Sequence, residues 1–345
     1  MEKSLPRICS IEAPGKINLH LRIGEKQPDG YHALESIFVP LALGDTLRFE
    51  RTEKGDCHLL TNWEVPEETI LPTENLVVRA VSLFRERTGF NPGLRIRLDK
   101  RIPTGAGLGG GSSDAASTLL AMNLLSGSAL SLKELREMAV LLGSDVPFFL
   151  SGGAAFVSGR GEITEAVNTP QGLWVVLVKP PFSSDTAKAY SLLDQARKRG
   201  ELSGKTFSKK EPAKQKLPKE ALIRALEEDP CTWPFHNDFL AVFLDPDRST
   251  EGEYGEKTGV YRIILEKLRE EGACFAGLSG SGSCCFGIFR TVEAAKKAEE
   301  VLIRTETTVF REFMPRYTPE GPSKTGFFVR VTFFLAQNSN AVLQY

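Results

Sequence analysis

Residues 102–117 read IPTGAGLGGGSSDAAS, where five glycines and two serines lead straight into small residues with helical spacing. So many missing side chains rule out a core role for the glycines and point to a backbone role. Glycine lets consecutive N–H groups converge on one point, and the first turn of the helix that follows adds donors without intrahelical acceptors and the positive end of a dipole. The run therefore predicts a loop that cradles phosphate, suited to a polyanion such as ATP, at the start of a helix.

Spacing alone leaves several phosphate loops open, because Gly105, Gly107 and Gly110 fit GxGxxG. A P-loop needs Lys and then Ser or Thr after its last glycine, but Ser112 follows Gly111 directly, so the phosphate-reaching lysine is missing. A dinucleotide fold needs an apolar buried strand before the glycines, and GLRIRLDKRIP instead alternates apolar with charged residues, as a half-exposed antiparallel strand does. A protein kinase needs HRD and DFG motifs downstream, and neither tripeptide occurs.

Periodicity sketches the rest. Ile17, Leu19, Leu21 and Ile23 alternate with polar residues, which predicts a half-buried strand with Lys16 and Asn18 on its polar face. Residues 73–89 read as a helix with Leu76, Val77, Ala80, Val81 and Phe84 on its apolar side, ended by glycine. Ser131 and Glu134 form a capping-box start for a helix that stops near Gly143. TPQG precedes the apolar strand LWVVLV, which sets a domain boundary near residue 170 and divides the chain into residues 1–170 and 171–345. Residues 197–219 are lysine-rich and poor in large apolar side chains, as in a mobile loop. Strands are expected at CCFGIF and over 326–335, with an amphipathic helix over 291–302. The last residues, NSNAVLQY, carry no assignment.

Composition narrows the partners. A net charge of -1 on 345 residues gives no general attraction to nucleic acid or to an acidic membrane, so the expected partner is a small molecule. No apolar run approaches a membrane span and the first ten residues lack a signal-peptide core, from which a cytoplasmic protein is expected. The six cysteines include no CxxC pair, so reduced thiols are expected.

Several residues carry candidate chemistry on local grounds. Asp145, in a turn before PFF, fits two roles: a carboxylate that accepts a hydroxyl proton, or an N-cap of the turn. Lys16, after Pro14-Gly15, can hold a compact positive charge beside such a carboxylate, or lie in solvent. Tyr31 and His32 suit a pyrimidine, one ring for stacking and one for hydrogen bonding, unless the tyrosine simply packs its turn. Asp114 reads as a stabiliser of the helix start through the dipole. GLSGSGS (277–283) could close over the site or be a tight connection.

Residues 103–116 resemble the phosphate loop of the GHMP small-molecule kinases. APGKINLHLRI with DGYH, LGSDVPFFLSGG and GLSGSGSCCFG follow that family's order and spacing, the nearest branch being one whose acceptor carries a cytidine diphosphate. The resemblance implies an α/β fold of α+β type, with a ribosomal-protein-S5-like N-terminal domain and a ferredoxin-like C-terminal domain. It implies ATP as phosphoryl donor, with Mg²⁺, although no DxD or similar cluster singles out a protein ligand for the metal. It makes Asp145 the base and Lys16 its active-site partner. It places Pro103, Thr104, Gly105, Ala106, Gly107, Leu108, Gly109, Gly110, Gly111, Ser112 and Ser113 around the nucleotide phosphates, and Asn75 and Lys100 near the adenine. Asn18, Tyr31, His32, Thr186 and Tyr190 fall to the acceptor, Tyr190 as a second stacking ring. A homoserine- or mevalonate-type acceptor, or a non-catalytic nucleotide sensor on the same scaffold, are the alternatives.

Overall fold

A computed structural model describes residues 5–53, 55–62, 74–127, 130–199, 217–244, 252–313 and 327–336. In chain order the elements are β1 (Ile8–Lys26), β2 (His32–Thr52), β3 (Cys57–Thr61), α1 (Leu76–Thr88), β4 (Gly93–Asp99), α2 (Gly110–Ser126), α3 (Leu132–Leu142), β5 (Ala155–Ser158) and β6 (Ile163–Ala166). They continue with β7 (Trp174–Lys179), α4 (Thr186–Lys198), α5 (Lys219–Ala225), α6 (Asp238–Phe243), α7 (Gly252–Glu270), β8 (Phe275–Leu278), β9 (Cys285–Phe289), α8 (Val292–Phe313) and β10 (Phe328–Phe333). Short 3₁₀ turns occupy Pro147–Leu150 and Pro230–Thr232.

The first sheet runs β3-β4-β2-β5-β6, with β1 also paired to β2; the second runs β10-β7-β9-β8 and is antiparallel throughout. β4 keeps the half-exposed alternation read from GLRIRLD and is antiparallel to β2, but its other neighbour, β3, is parallel. Three apolar layers result. One lies between the first sheet and α1, α2 and α3, around Phe49, Phe84 and Leu119. A second lies between the second sheet and α4, α6, α7 and α8. The third joins the sheets themselves, Ile17, Leu19 and Val39 meeting Val175, Phe286 and Ile288. Burying one side chain the size of Phe286 is worth about 1.5–3 kcal/mol, against about 1 kcal/mol net for a hydrogen bond. The two sheets are therefore held chiefly by this apolar layer, and the polar contacts between them set its register.

Local chemistry accounts for the helix ends. Asn75 Oδ1 accepts from Val77 N at the start of α1, and Gly89 at φ 73° ends it. The Ser131–Glu134 capping box opens α3. α2 has Gly109 as its N-cap with no side-chain cap bond, and its small residues let Ala115, Ala116, Ser117 and Thr118 all be buried.

Three expectations change. Residues 15–21 of β1 are buried on both faces rather than one, because the second half of the chain covers the polar side: Asn18 N donates to Ser279 Oγ at 3.3 Å and Leu21 N to His236 O at 2.8 Å. The lysine-rich stretch is not a loop at its ends. Arg197 lies in α4 and donates to the Gly24 and Ile23 carbonyls, and Lys219 opens α5 in an ion pair with Glu165. Residues 200–216 lie outside the described residues, as does the C-terminal NSNAVLQY. The helix expected over 291–302 continues to Phe313. All six cysteines are free. Among the described residues no helix is long and apolar enough to cross a membrane.

Candidate active site

The phosphate loop and the middle of β1 meet at a bulge. The β1–β2 register shifts between Pro14 and Lys16, where the partner is Pro40, whose carbonyl accepts from Leu335 N at 3.0 Å. The Lys16 amide turns to the loop instead and donates to Leu108 O at 2.9 Å. Its side chain follows: Nζ donates to Gly107 O at 3.1 Å and to Asn18 Oδ1 at 2.6 Å, lies 4.6 Å from the Phe38 ring centre, and pairs with Asp145 Oδ2 at 3.5 Å. Lys16 is buried, its side chain only 3 % exposed, whereas that of Asp145 is 32 % exposed. Burial pulls the Lys16 pKa below the ordinary lysine value, and the Asp145 carboxylate opposes that pull without cancelling it.

Asp145 reaches this position because α3 ends at Gly143 and a 3₁₀ turn opens at Pro147. That turn has Val146 as its N-cap and no side-chain cap bond, so of the two roles open in the sequence Asp145 does not fill the capping one. It is a half-buried carboxylate held beside an ammonium at the mouth of a glycine loop.

The loop carbonyls face inward. Gly107 O accepts from Lys16 and from Ser279 Oγ (2.8 Å), Gly105 O from Ser184 N and Ser283 N, and Ala106 O from Cys284 N. The first intrahelical bond of α2 runs from Ser113 N to Gly109 O, so the amides of Gly110, Gly111 and Ser112 belong to the first turn and have no helical acceptor. Ser112 and Ser113 lie inside the helix rather than capping it, since Gly109 is the cap. Ser113 Oγ is fully buried and has no hydrogen-bond partner among the described residues.

The glycine-serine loop 277–283 closes on this centre, and it is a tight connection between β8 and β9 as well. Contact is so close that a Cβ on Gly107, whose φ is +74°, would sit 2.1 Å from Ser279 O. Gly107→Ala is therefore expected to destabilise the fold by about 1–3 kcal/mol and to part the two loops; thermal unfolding of the purified variant checks this.

Lys100 has an engagement that spacing did not reveal. Its ammonium sits between Asp45 (2.5 Å) and Asp114 (2.7 Å), both buried carboxylates, and Asp45 Oδ1 also accepts from the Arg101 and Ile102 amides. Asp114 consequently does not act through the helix dipole. α2 begins at Gly110, which puts Asp114 beyond the first turn and against Lys100. Burial pushes Asp114 up to about 7, with Lys100 pulling down and Asp45 pushing up. The two carboxylates hold the Lys100 pKa above the ordinary value although burial works against them. An acid whose folded pKa is raised gives stability that is complete below its unfolded pKa and lost as pH rises through the folded one. For Asp114 that window runs from the ordinary 3.8 to about 7. Asn at 114 does not titrate, so the melting temperature of Asp114→Asn minus that of the parent should rise between pH 4 and pH 8, read by calorimetry.

Among the residues that the resemblance gives to the acceptor, the rings pair with one another. Tyr190 stacks on His32 (5.1 Å, 27°) and meets Phe239 edge-on, so one of its faces is already taken. His32 is buried, with Nδ1 3.0 Å from Gly24 O and Nε2 3.4 Å from Asp194 Oδ1. Burial raises the Tyr190 pKa and the Asp145 charge adds to it, which ties this ring electrostatically to the Lys16–Asp145 pair. Tyr31 is 58 % exposed, with the Arg160 guanidinium 4.3 Å from its ring centre and Arg160 in turn paired with Asp29. Thr186 Oγ1 bonds Ser281 Oγ at 2.8 Å at the start of α4. Asn18 is buried between Lys16, Ser36 and Ser279. Asn75 spends Oδ1 on its helix cap. Asp45, Arg160, Asp194 and Ser279 were not singled out by sequence. Asn237 left one signal, HND before the apolar FLAVF, which reads only as a helix start. Among the described residues no group of three His, Cys, Asp or Glu side chains gathers to hold a metal.

Comparison with known proteins is consistent across sequence and fold. The GHMP kinases N terminal domain model matches residues 75–153, and the GHMP kinases C terminal model matches 239–306. A protein of Treponema pallidum subsp. pallidum named 4-diphosphocytidyl-2-C-methyl-D-erythritol kinase is 35 % identical over 298 residues, 86 % of this chain and 94 % of that one. Its namesake from Pelotomaculum thermopropionicum is 38 % identical over 311 residues, covering 88 % and 98 %. The crystal structure of a 4-(cytidine 5'-diphospho)-2C-methyl-D-erythritol kinase superposes with a TM-score of 0.65 at 33 % identity, over 86 % of this chain and 95 % of that one.

Proposed function

The chain belongs to the 4-diphosphocytidyl-2-C-methyl-D-erythritol kinases, within the two-domain GHMP kinase fold, and we propose that it transfers the γ-phosphoryl group of ATP to the 2-hydroxyl of 4-(cytidine 5'-diphospho)-2-C-methyl-D-erythritol, in isoprenoid precursor synthesis. The observation that carries the mechanism is the Lys16–Asp145 pair, 3.5 Å apart, with Lys16 bound to the phosphate loop itself. Asp145 accepts the proton of the acceptor hydroxyl as its oxygen bonds to the γ-phosphorus and the bond to the bridging oxygen breaks, leaving ADP. Lys16 holds positive charge where negative charge gathers. The first-turn amides of α2 take the phosphates of the nucleotide.

Mg²⁺ travels with the nucleotide in this reading and neutralises phosphate charge. Ser113 Oγ, buried and without a partner among the described residues, would fit a phosphate oxygen or the ion bound to it, and the ion would supply charge neutralisation there. The base of the acceptor goes to the open face of Tyr31, while His32 and Tyr190 form the inner wall of the pocket. We also keep the division into residues 1–170 and 171–345, supported by the two sheets falling on either side of it.

ADP release with Mg-ATP and the cytidine-diphospho acceptor, run beside homoserine and mevalonate, tests the reaction: turnover is expected with the first alone, and turnover with another acceptor only would discard the cytosine pocket. Base stacking on an aromatic ring is worth about 1–3 kcal/mol, so Tyr31→Leu should raise KM for the acceptor by about 5- to 150-fold with kcat nearly unchanged. An unchanged KM would remove Tyr31 from the pocket.

A further inference from the structure

Asn237 lies in a different part of the chain from any of these motifs, yet its carboxamide joins the 278–280 segment to α6, and the backbone beside it reaches β1. It is 7 % exposed. Nδ2 donates to both Leu278 O and Gly280 O, each at 2.8 Å, and these are the carbonyls on either side of Ser279. Oδ1 accepts from Phe239 N at 2.9 Å and caps α6. Its backbone neighbour His236 accepts from Leu21 N of β1. The carboxamide thus holds the peptides flanking Ser279 by two donor bonds from one nitrogen.

Ser279 is fully buried and is the point where a side chain of the second loop bonds the first, beside the backbone bonds of Ser283 and Cys284. Its hydroxyl donates to Gly107 O at 2.8 Å, accepts from Asn18 N at 3.3 Å and lies 3.4 Å from Asn18 Oδ1. Gly107 O and Asn18 Oδ1 are the two neutral acceptors of the Lys16 ammonium. We propose that Asn237 is a positioning residue for phosphoryl transfer: by clamping the carbonyls on both sides of Ser279 it sets the Ser279 hydroxyl, and through it the Gly107 and Asn18 oxygens that aim Lys16. This rests on the reading of Lys16 and Asp145 as the transfer pair.

The two jobs of the side chain can be separated. Aspartate at 237 keeps an oxygen for the α6 cap but replaces the donor with a carboxylate oxygen against two carbonyls, an arrangement that favours the protonated acid. Protonated, it donates to one of them. Asn237→Asp should therefore lose about 10- to 100-fold in kcat at pH 8, with KM for ATP and for the acceptor within about two-fold, since a displacement on the order of 1 Å at a transfer site costs that much. Relative to the parent its kcat should recover as pH falls toward 6. Charged and titrating groups nearby are His236 and His20, in contact with each other, and Asp238, which pairs with His236 and Arg197. Asn237→Ser retains these groups and a cap oxygen but cannot regain the donor pair, so its ratio to the parent should be low and flat with pH.

The measurement is kcat per folded molecule, with folding followed by circular dichroism, from pH 6 to 8.5. Parent-like kcat in Asn237→Asp at pH 8, or a loss that does not ease on acidification, overturns the proposal. If that variant does not fold, Ser279→Ala decides: a loss of ten-fold or more in kcat at unchanged KM supports the relay, and parent-like kcat overturns it. Asp145→Asn assayed in parallel keeps the premise separate, because full turnover in that variant would remove the transfer pair whatever Asn237 does.

Discussion

Asp145→Asn is expected to lower kcat by about 10²- to 10⁴-fold while KM for ATP and acceptor moves little, the range for loss of a positioned general base. Asparagine matches aspartate in size and leaves the half-exposed turn between α3 and the 3₁₀ segment intact, so the loss isolates the carboxylate. Among the described residues no other carboxylate forms an ion pair with Lys16 that could replace it. Asp114, the nearest acid by sequence to the loop, is committed to Lys100. Steady-state assays with both substrates varied, together with the melting temperature, check the result. A variant retaining kcat within ten-fold would mean that proton removal is not the work of Asp145, and attention would pass to Lys16 and the phosphate loop alone.

What was legible in the chain differs between loop and wall. The glycine run announced itself because phosphate binding needs missing side chains at consecutive positions, a signal that is local in sequence. Ser131 was legible as a helix start for the same reason. β1 was misjudged because alternation measures what one sheet face meets, and the polar residues Lys16 and Asn18 are covered by a loop some 260 positions away, at Ser279. A buried polar face looks the same in sequence as a solvated one. Asp114 was misread for a related cause. Its distance from the first glycines pointed to a dipole contact, but the helix start at Gly110 and the partner Lys100 are tertiary facts. The rings at Tyr31, His32 and Tyr190 were legible as a set, whereas their pairing depends on how α4 lies against β2, which no spacing records.

Lys16→Met should separate activity from stability in a way a structural lysine would not. Removing one charge-stabilising donor from a transfer site costs about 10²- to 10³-fold in kcat, and that loss is expected here. Arginine should not restore it, because the buried ammonium is held within 3.5 Å by Asn18 Oδ1, Gly107 O and Asp145, contacts that suit a compact point charge and not a larger planar guanidinium. Stability should move the other way or not at all. Burial disfavours the ammonium, so the folded pKa of Lys16 lies below the ordinary 10.5, and the fold bears that cost at every pH where Lys16 is charged. The cost is relieved as pH rises from the folded pKa toward 10.5. Methionine has nearly the same length and no charge, and Asp145 is exposed to water on one side. The melting temperature of Lys16→Met should thus equal or exceed that of the parent near neutral pH, with the gap narrowing on the alkaline side. In the parent, kcat should fall on that same limb as Lys16 loses its proton, at a pH below that of an ordinary lysine. A variant that melts well below the parent, or a parent whose kcat holds up to pH 10.5, would show that Lys16 serves the fold rather than the reaction.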